Sequence, residues 1–364
     1  MSGQALSAEL TIDRGGFRLR IDLEAPAGVT ALLGPNGSGK STALLGLAGL
    51  HPLTSGHVRV GGTTWADTRG AGPLRRGLAP EARSVGMVLA EPMLFPHLSL
   101  LDNVAFGPRS RGMRRAPARE RARSELDRVG LGDLRGRRPS QVSSGQAQRA
   151  ALARALATDP ALLLLDEPLS ALDPQTRSRT RADLAARLRD YPGVTVVTTH
   201  DPLDALTLAD QLVFVEDGRV AQVGSPGEVV ARPRTAYVAS LVGLNLLAGV
   251  LETGEPPVLR LEGGEPLVLA EPPAGARRGD RVWATVNPEA VSLFTGRPDT
   301  SARNLWPLEV ESVTVTGQRA RVHLGGVLPL VAEVTLGAVA ALGITRGRQL
   351  WAAVKATEIH AYPA

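Results

Sequence analysis

Cysteine is absent from this chain, which excludes disulfides, thiolate metal ligands and a cysteine nucleophile. Lysine is nearly absent. Of 41 basic residues only Lys40 and Lys355 are lysine, so both are candidates for work that a bulky, planar guanidinium does poorly. Long apolar runs are missing too: no stretch approaches the roughly 18–20 uncharged residues that span a bilayer. Met1–Leu10 has neither the basic region nor the apolar core of a secretory signal. The expectation is a protein that stays in the cytoplasm and reaches a membrane only through a partner. The net charge is +5, but there is no basic stripe. Arginines in stretches such as Arg119–Arg128 are interleaved with Glu120, Glu125 and Asp127, the pattern of a solvated helix face, so no nucleic-acid partner is expected.

At 364 residues, with 43% hydrophobic composition, the chain is long enough for two or three domains with real cores. Up to about residue 90 it reads as short strands around a glycine-rich loop: Leu19–Leu23 alternates, and Val29–Leu33 is a short apolar run ending at glycine. Residues 91–160 read as mainly helical. Ala161–Leu165 and Gly193–Thr199 are apolar or β-branched strands, and strands alternating with helices imply a largely parallel α/β sheet. After Arg232-Pro233-Arg234 the texture changes to short alternating runs, such as Leu308–Val315 and Arg319–Leu324, separated by frequent turn signals. That predicts a small β-barrel or sandwich, with segments 250–290 and 301–364 as two lobes and a boundary near 235.

Gly34-Pro35-Asn36-Gly37-Ser38-Gly39-Lys40-Ser41-Thr42 fits the pattern G-x-x-x-x-G-K-[ST] in full. It follows the strand Val29–Leu33 and opens the predicted helix Ser41–Leu50, the context this motif requires. Its glycines let backbone N–H groups turn inward around phosphates, and the helix N-terminus adds positive charge. Lys40 then faces the β- and γ-phosphates of ATP, and Ser41 ligates Mg2+. Asp166, emerging from Leu162–Leu165, is placed to hold the same metal, and Glu167 to polarise an attacking water as general base. Lys40, Glu167 and, from the motif below, His200 are the candidate catalytic residues.

Val142-Ser143-Ser144-Gly145-Gln146, before the helix Ala147–Leu156, is similar to the signature L-S-G-G-Q of the ABC transporter ATPases. Ser170-Ala171-Leu172-Asp173 resembles that family's D-loop, and Thr199-His200-Asp201 its switch histidine. The resemblance implies a P-loop ABC domain with a helical subdomain at about 91–160, within residues 1–235. Phe17 would stack on adenine. Ser143, Ser144, Gly145 and Gln146 would bind the γ-phosphate of ATP held by a second copy, with Asp173 at the same interface. His200 would contact the γ-phosphate and orient water. A homodimer is implied, with two integral-membrane permease subunits and an extracytoplasmic binding protein acting indirectly. The location implied is the cytoplasmic face of the cell membrane.

Two positions depart from the family pattern. Val88-Leu89-Ala90-Glu91-Pro92 has Ala90 where the family's Q-loop carries glutamine, and alanine neither ligates nor donates. Ser144 replaces a signature glycine, adding a Cβ and narrowing the allowed dihedrals. Hydrolysis is still expected, at a reduced rate or with different coupling. Glu91–Gly107, containing Leu94-Phe95-Pro96-His97-Leu98, resembles the segment that importer ATPases press against the permease.

Residues 236–364 are expected to form a small all-β, OB-like domain. Thr300-Ser301-Ala302-Arg303-Asn304, with Val354-Lys355-Ala356-Thr357-Glu358, resembles the molybdate-binding mop module over about 301–364. The resemblance makes Ser301, Arg303 and Lys355 candidate oxyanion ligands, chemistry that suits a tetrahedral dianion. The whole chain is thus similar to molybdate importer ATPases. Three alternatives stay open: the same engine with tungstate, sulfate, polyamine or sugar as cargo; a hydrolysis-impaired molybdate-binding protein; and a C-terminal lobe that only dimerises.

Overall fold

The computed structural model describes residues 5–69, 76–170, 172–252 and 254–364. The chain divides into two compact units, Met1–Val229 and Val230–Ala364.

The first unit holds two sheets. β1 (Leu6–Arg14), β2 (Phe17–Ala25), β4 (Ser55–Val60), β5 (Thr63–Asp67) and β6 (Arg76–Gly77) form an antiparallel sheet in the order β2-β1-β4-β5-β6. β3 (Gly28–Leu33), β7 (Val85–Val88), β8 (Leu162–Asp166), β9 (Val194–Thr198), β10 (Gln211–Glu216) and β11 (Arg219–Gly224) form the second, ordered β11-β10-β3-β9-β8-β7. Only β11 runs antiparallel to its neighbour. β8 and β9 are almost wholly buried, which is why they read as continuous apolar runs rather than alternating ones. The helix α1 (Lys40–Ala48) packs Leu44 and Leu47 into one core with Leu32, Leu164 and Val196. Emptying such a site by Leu→Ala costs about 2–5 kcal/mol.

α2 (Leu100–Ser110), α3 (Arg115–Arg128) and α4 (Ser144–Leu156) share a separate core built on Leu100, Val104, Ala118, Leu126 and Ala150. Small Ala residues on α3 and α4 let the helices approach closely. α5 (Pro174–Arg189) and α6 (Pro202–Leu208) start at the aspartate N-caps Asp173 and Asp201, each followed by proline at the first helical position.

The second unit is built of two five-stranded sheets. β12 (Asn245–Glu252), β13 (Val258–Leu261), β14 (Pro266–Val268) and β15 (Arg281–Val286) are completed by β21 (Ile359–Pro363), in the order β14-β13-β12-β15-β21. The other sheet, β16-β20-β17-β18-β19, takes β16 (Ser292–Phe294) as its edge beside β17 (Asn304–Thr316), β18 (Arg319–Gly326), β19 (Leu330–Thr335) and β20 (Gln349–Val354). The last strand of the chain therefore completes the earlier sheet. One core joins the two: Leu251, Leu259 and Val282 with Trp306, Leu324 and Leu350. Alternating burial along β12, β17 and β18 marks sheets with one wet face.

Candidate active site

β3, β9 and β8 are consecutive parallel neighbours, so the loops leaving their carboxyl ends meet, the usual ligand position in such sheets. The first of these loops is Gly34–Gly39. Gly34 has φ +153°, and a Cβ there would lie 2.0 Å from the Val215 carbonyl oxygen, so only glycine fits. Asn36 and Gly37 form its exposed tip, while Thr42 follows Ser41 in the first turn of α1. Buried Lys40 donates from Nζ to the carbonyls of Gly34 (2.8 Å) and Pro35 (3.0 Å). Burial lowers its pKa, and the carboxylates of Glu167 and Asp166 partly offset this. The Ser38 hydroxyl is buried without a partner. The half-buried Phe17 ring packs on the same loop, 3.0 Å from where a Cβ on Gly39 would stand.

The next two loops supply the acids and the histidine. Asp166 and Thr198 are directly paired in the β8–β9 ladder. Asp166 Oδ1 accepts from the Ser41 hydroxyl (3.2 Å) and the Thr198 hydroxyl (2.7 Å). Glu167 has φ +46°, an uncommon backbone state for a side-chain-bearing residue. Its N–H is shared between Thr198 Oγ1 (3.0 Å) and the Thr198 carbonyl (3.2 Å). His200 Nδ1 stands 3.3 Å from Glu167 Oε2, with the imidazole about half exposed. Sequence reasoning missed Thr198. It counted as one more β-branched residue of a buried strand, and only the register reveals that its hydroxyl joins Asp166 to Glu167.

These residues fit ATP with Mg2+. A lysine ammonium and an unpartnered hydroxyl at a helix start match anionic oxygens. The adjoining Ser41 and Asp166 are oxygen donors of the kind a hard cation takes. Among the described residues no group of three or more His, Asp or Glu is placed to hold a metal ion.

The signature lies at the start of α4. Ser143 is its N-cap: Gln146 N–H donates to Ser143 Oγ (3.3 Å), and Ser143 N–H donates to Gln146 Oε1 (2.9 Å). The serine oxygen thus accepts within the chain, while its own proton remains available. The narrowing of dihedrals expected at Ser144 does not strain the backbone. Ser144 is the exposed first residue of the helix and is not among the residues with positive φ. The tight position is Gly145, where a Cβ would lie 3.0 Å from Leu172 Cδ2. The open pocket beside the signature is lined by Ser143, Gly145, Gln146, Arg149, Gln175 and Arg179, and by no described residue of the Gly34–Thr42 loop. Asp173 caps α5, and hydrogen bonds from Thr176 hold its carboxyl below the usual carboxylate value. Ala171 lies outside the described residues.

Ala90, the second residue after β7, is half-buried, while Glu91 is exposed. Beyond it, buried Asn103 clamps the next loop, accepting from Phe95 N–H and donating to the carbonyls of Phe95 and Ser99. Phe95 packs against Phe106 at 4.6 Å between ring centroids, and the Arg154 guanidinium lies over the Phe95 ring. Met93 and Phe106 remain exposed.

In the second unit Lys355 lines a polar pocket of about 380 Å3 with Asn287, Glu289, Thr300 and Glu358. Ser301 and Arg303 are exposed and do not line it. The ladder pairs Asn304 with Val354, so Arg303 and Lys355 adjoin at its end. Asn304 is buried and structural: its side chain accepts from Val268 N–H and donates to the Val268 carbonyl.

The loop cradle, the paired acids at a strand end and the signature helix define an ATP-binding cassette. The ABC transporter family matches residues 20–170, and the TOBE domain matches 300–361. The chain is 39% identical over 356 residues to the molybdenum import ATP-binding protein ModC of Mycobacterium tuberculosis, covering 95% of each. It is 40% identical to the spermidine/putrescine import ATP-binding protein PotA of Frankia alni, over 77% of this chain and 61% of that one. A dimeric ATP-binding cassette solved in a post-hydrolysis state with ADP and Pi is similar at 27% identity and TM-score 0.52, covering 61% of this chain and 98% of that one. This chain belongs to the ABC transporter ATP-binding proteins. It binds ATP with Mg2+ and hydrolyses it.

Proposed function

We propose that this chain energises the import of molybdate. The observation that carries the reading is reach: similarity to the molybdenum importer subunit runs through the C-terminal unit, at 95% of both chains, whereas the spermidine/putrescine relative leaves part of this chain unmatched. In this reading Lys40 and the N–H groups of Gly34–Thr42 hold the β- and γ-phosphates, and Phe17 stacks on adenine. Ser41 and Asp166 hold Mg2+, which neutralises phosphate charge when bound. Glu167 accepts a proton from the attacking water, and His200, beside it, orients that water against the γ-phosphate. Two copies pair head to tail, Ser143 donating its free proton to ATP held by the other copy. The exposed apolar surface of Met93 and Phe106 docks on the permease at the cytoplasmic face of the membrane, and an extracytoplasmic binding protein delivers the oxyanion.

In the same reading the C-terminal unit takes cytoplasmic molybdate, with Lys355 contributing charge and Ser301 and Arg303 contributing from the exposed edge. Glu289 is no obstacle to a dianion, because Arg319 pairs with it. Calorimetry of the full chain with molybdate, using sulfate as control, tests the cargo. Binding selective for molybdate and weakened at least tenfold in Lys355→Ala is expected, since a charge-assisted hydrogen bond contributes about 1.5–3 kcal/mol. Equal heats for both anions would return the cargo to sulfate, polyamine or sugar, and equal heats for Lys355→Ala and the parent would remove Lys355 from the site.

A further inference from the structure

Glu167 and His200 lie on separate segments, and their 3.3 Å approach is on the exposed side of the site. Besides the Thr198 hydrogen bonds described above, a second tie between the two segments lies on the buried side. Glu167 begins a tight turn in which its carbonyl accepts both the N–H (3.2 Å) and the hydroxyl (2.9 Å) of Ser170. Arg177, one turn into α5, grips that turn from below: Nε donates to the Leu169 carbonyl (3.1 Å) and Nη2 to the Ser170 carbonyl (3.3 Å). Its remaining nitrogen, Nη1, donates to Asp201 Oδ2 (3.0 Å). Asp201 is the residue after His200, and its other oxygen caps α6 by accepting from Leu203 and Asp204 N–H.

The contacts therefore close a ring: Glu167, the Ser170 turn, Arg177, Asp201, His200 and back to Glu167. A planar guanidinium is the side chain suited to three acceptors on two segments at once. The pair is only about one-fifth exposed, Arg177 at 21% and Asp201 at 23%, so solvent competes weakly for it. A neighbouring pair, Arg181 Nε on Asp204 Oδ1 at 2.5 Å, anchors α6 to α5 and keeps Asp201 within reach.

We propose that Arg177 is a positioning residue that sets the separation of Glu167 and His200 and so governs the rate of the hydrolytic step. Its hydrogen bonds described above are all with protein groups. The inference rests on the roles given above to Glu167 and His200.

The test is steady-state ATP hydrolysis by the full chain in Arg177→Ala, Arg177→Lys, His200→Ala and the double variant Arg177→Ala/His200→Ala, each with its thermal midpoint. Expected for Arg177→Ala is a kcat loss of about 10²-fold, the scale of a small misplacement of reacting groups, with KM for ATP nearly unchanged. Arg177→Lys should not rescue, because an ammonium lacks the fork. The double variant should be no slower than His200→Ala, since both changes disable the same pair. Multiplying losses in the double variant, or full activity in Arg177→Lys, would overturn the inference while leaving the roles of Glu167 and His200 intact. A thermal midpoint that falls together with kcat and KM would reduce Arg177 to a structural residue. An unimpaired His200→Ala would sink the inference and the role of His200 together.

Discussion

The nucleotide face of the first unit and the Lys355 pocket of the second each contain one of the two lysines, and they are built differently. Lys40 is buried against two carbonyls of its own loop, and its partners stand at the ends of adjacent parallel strands. The backbone of one chain forms that phosphate cradle. Lys355 is exposed, and its pocket includes two carboxylates while leaving out Ser301 and Arg303. An anion site assembled by backbone at a helix start is compact in sequence. One assembled by side chains from several strands is dispersed, and a few residues of motif describe it poorly.

The strongest way to break this comparison is at the first site. Glu167→Gln should lower kcat by about 10²–10⁴-fold, the usual contribution of a positioned base, and leave the heat of the molybdate titration proposed above the same as the parent's. Phosphate release and calorimetry on the same preparation check both. A smaller change is expected at Ala90. Ala90→Gln should raise the partner-stimulated rate several-fold, because the amide supplies a donor and an acceptor where alanine has neither; an unchanged rate in reconstituted vesicles would show that the missing glutamine is not limiting. Ser144→Gly should have the least effect, within about twofold on ATPase, because serine already fits its helical backbone. A large gain there would mean that Ser144 obstructs closure between copies.

Much of the first unit could be read without coordinates. Buried strands such as Leu162–Leu165 appear as apolar runs, and a glycine-rich loop between strand and helix has few other uses. Thr198 and Arg177 could not be read, because their roles depend on register and on which helix passes beneath which turn. A threonine in a β-branched strand and an arginine on a solvated helix look ordinary in sequence. In the second unit the alternation of β17 and β18 was legible. The exchange of edge strands was not, since periodicity identifies a strand and says nothing of its partner. That Ser144 sits in ordinary helical backbone was likewise not legible, because the signature motif does not state which of its residues is already helical.

That exchange of strands bears on how the protein is made. Ile359 pairs with Val286, and Tyr362 with Trp283, so the earlier sheet keeps an open edge at β15 until Ile359–Pro363 has left the ribosome. The cassette, whose strands all precede residue 230, faces no such wait and can fold during synthesis, as domains near the start of a chain generally do. A newborn subunit can therefore have a folded cassette before it has a finished second unit. An interval with an unpaired β15 is the point at which strand-edge association with another nascent copy would compete with correct closure.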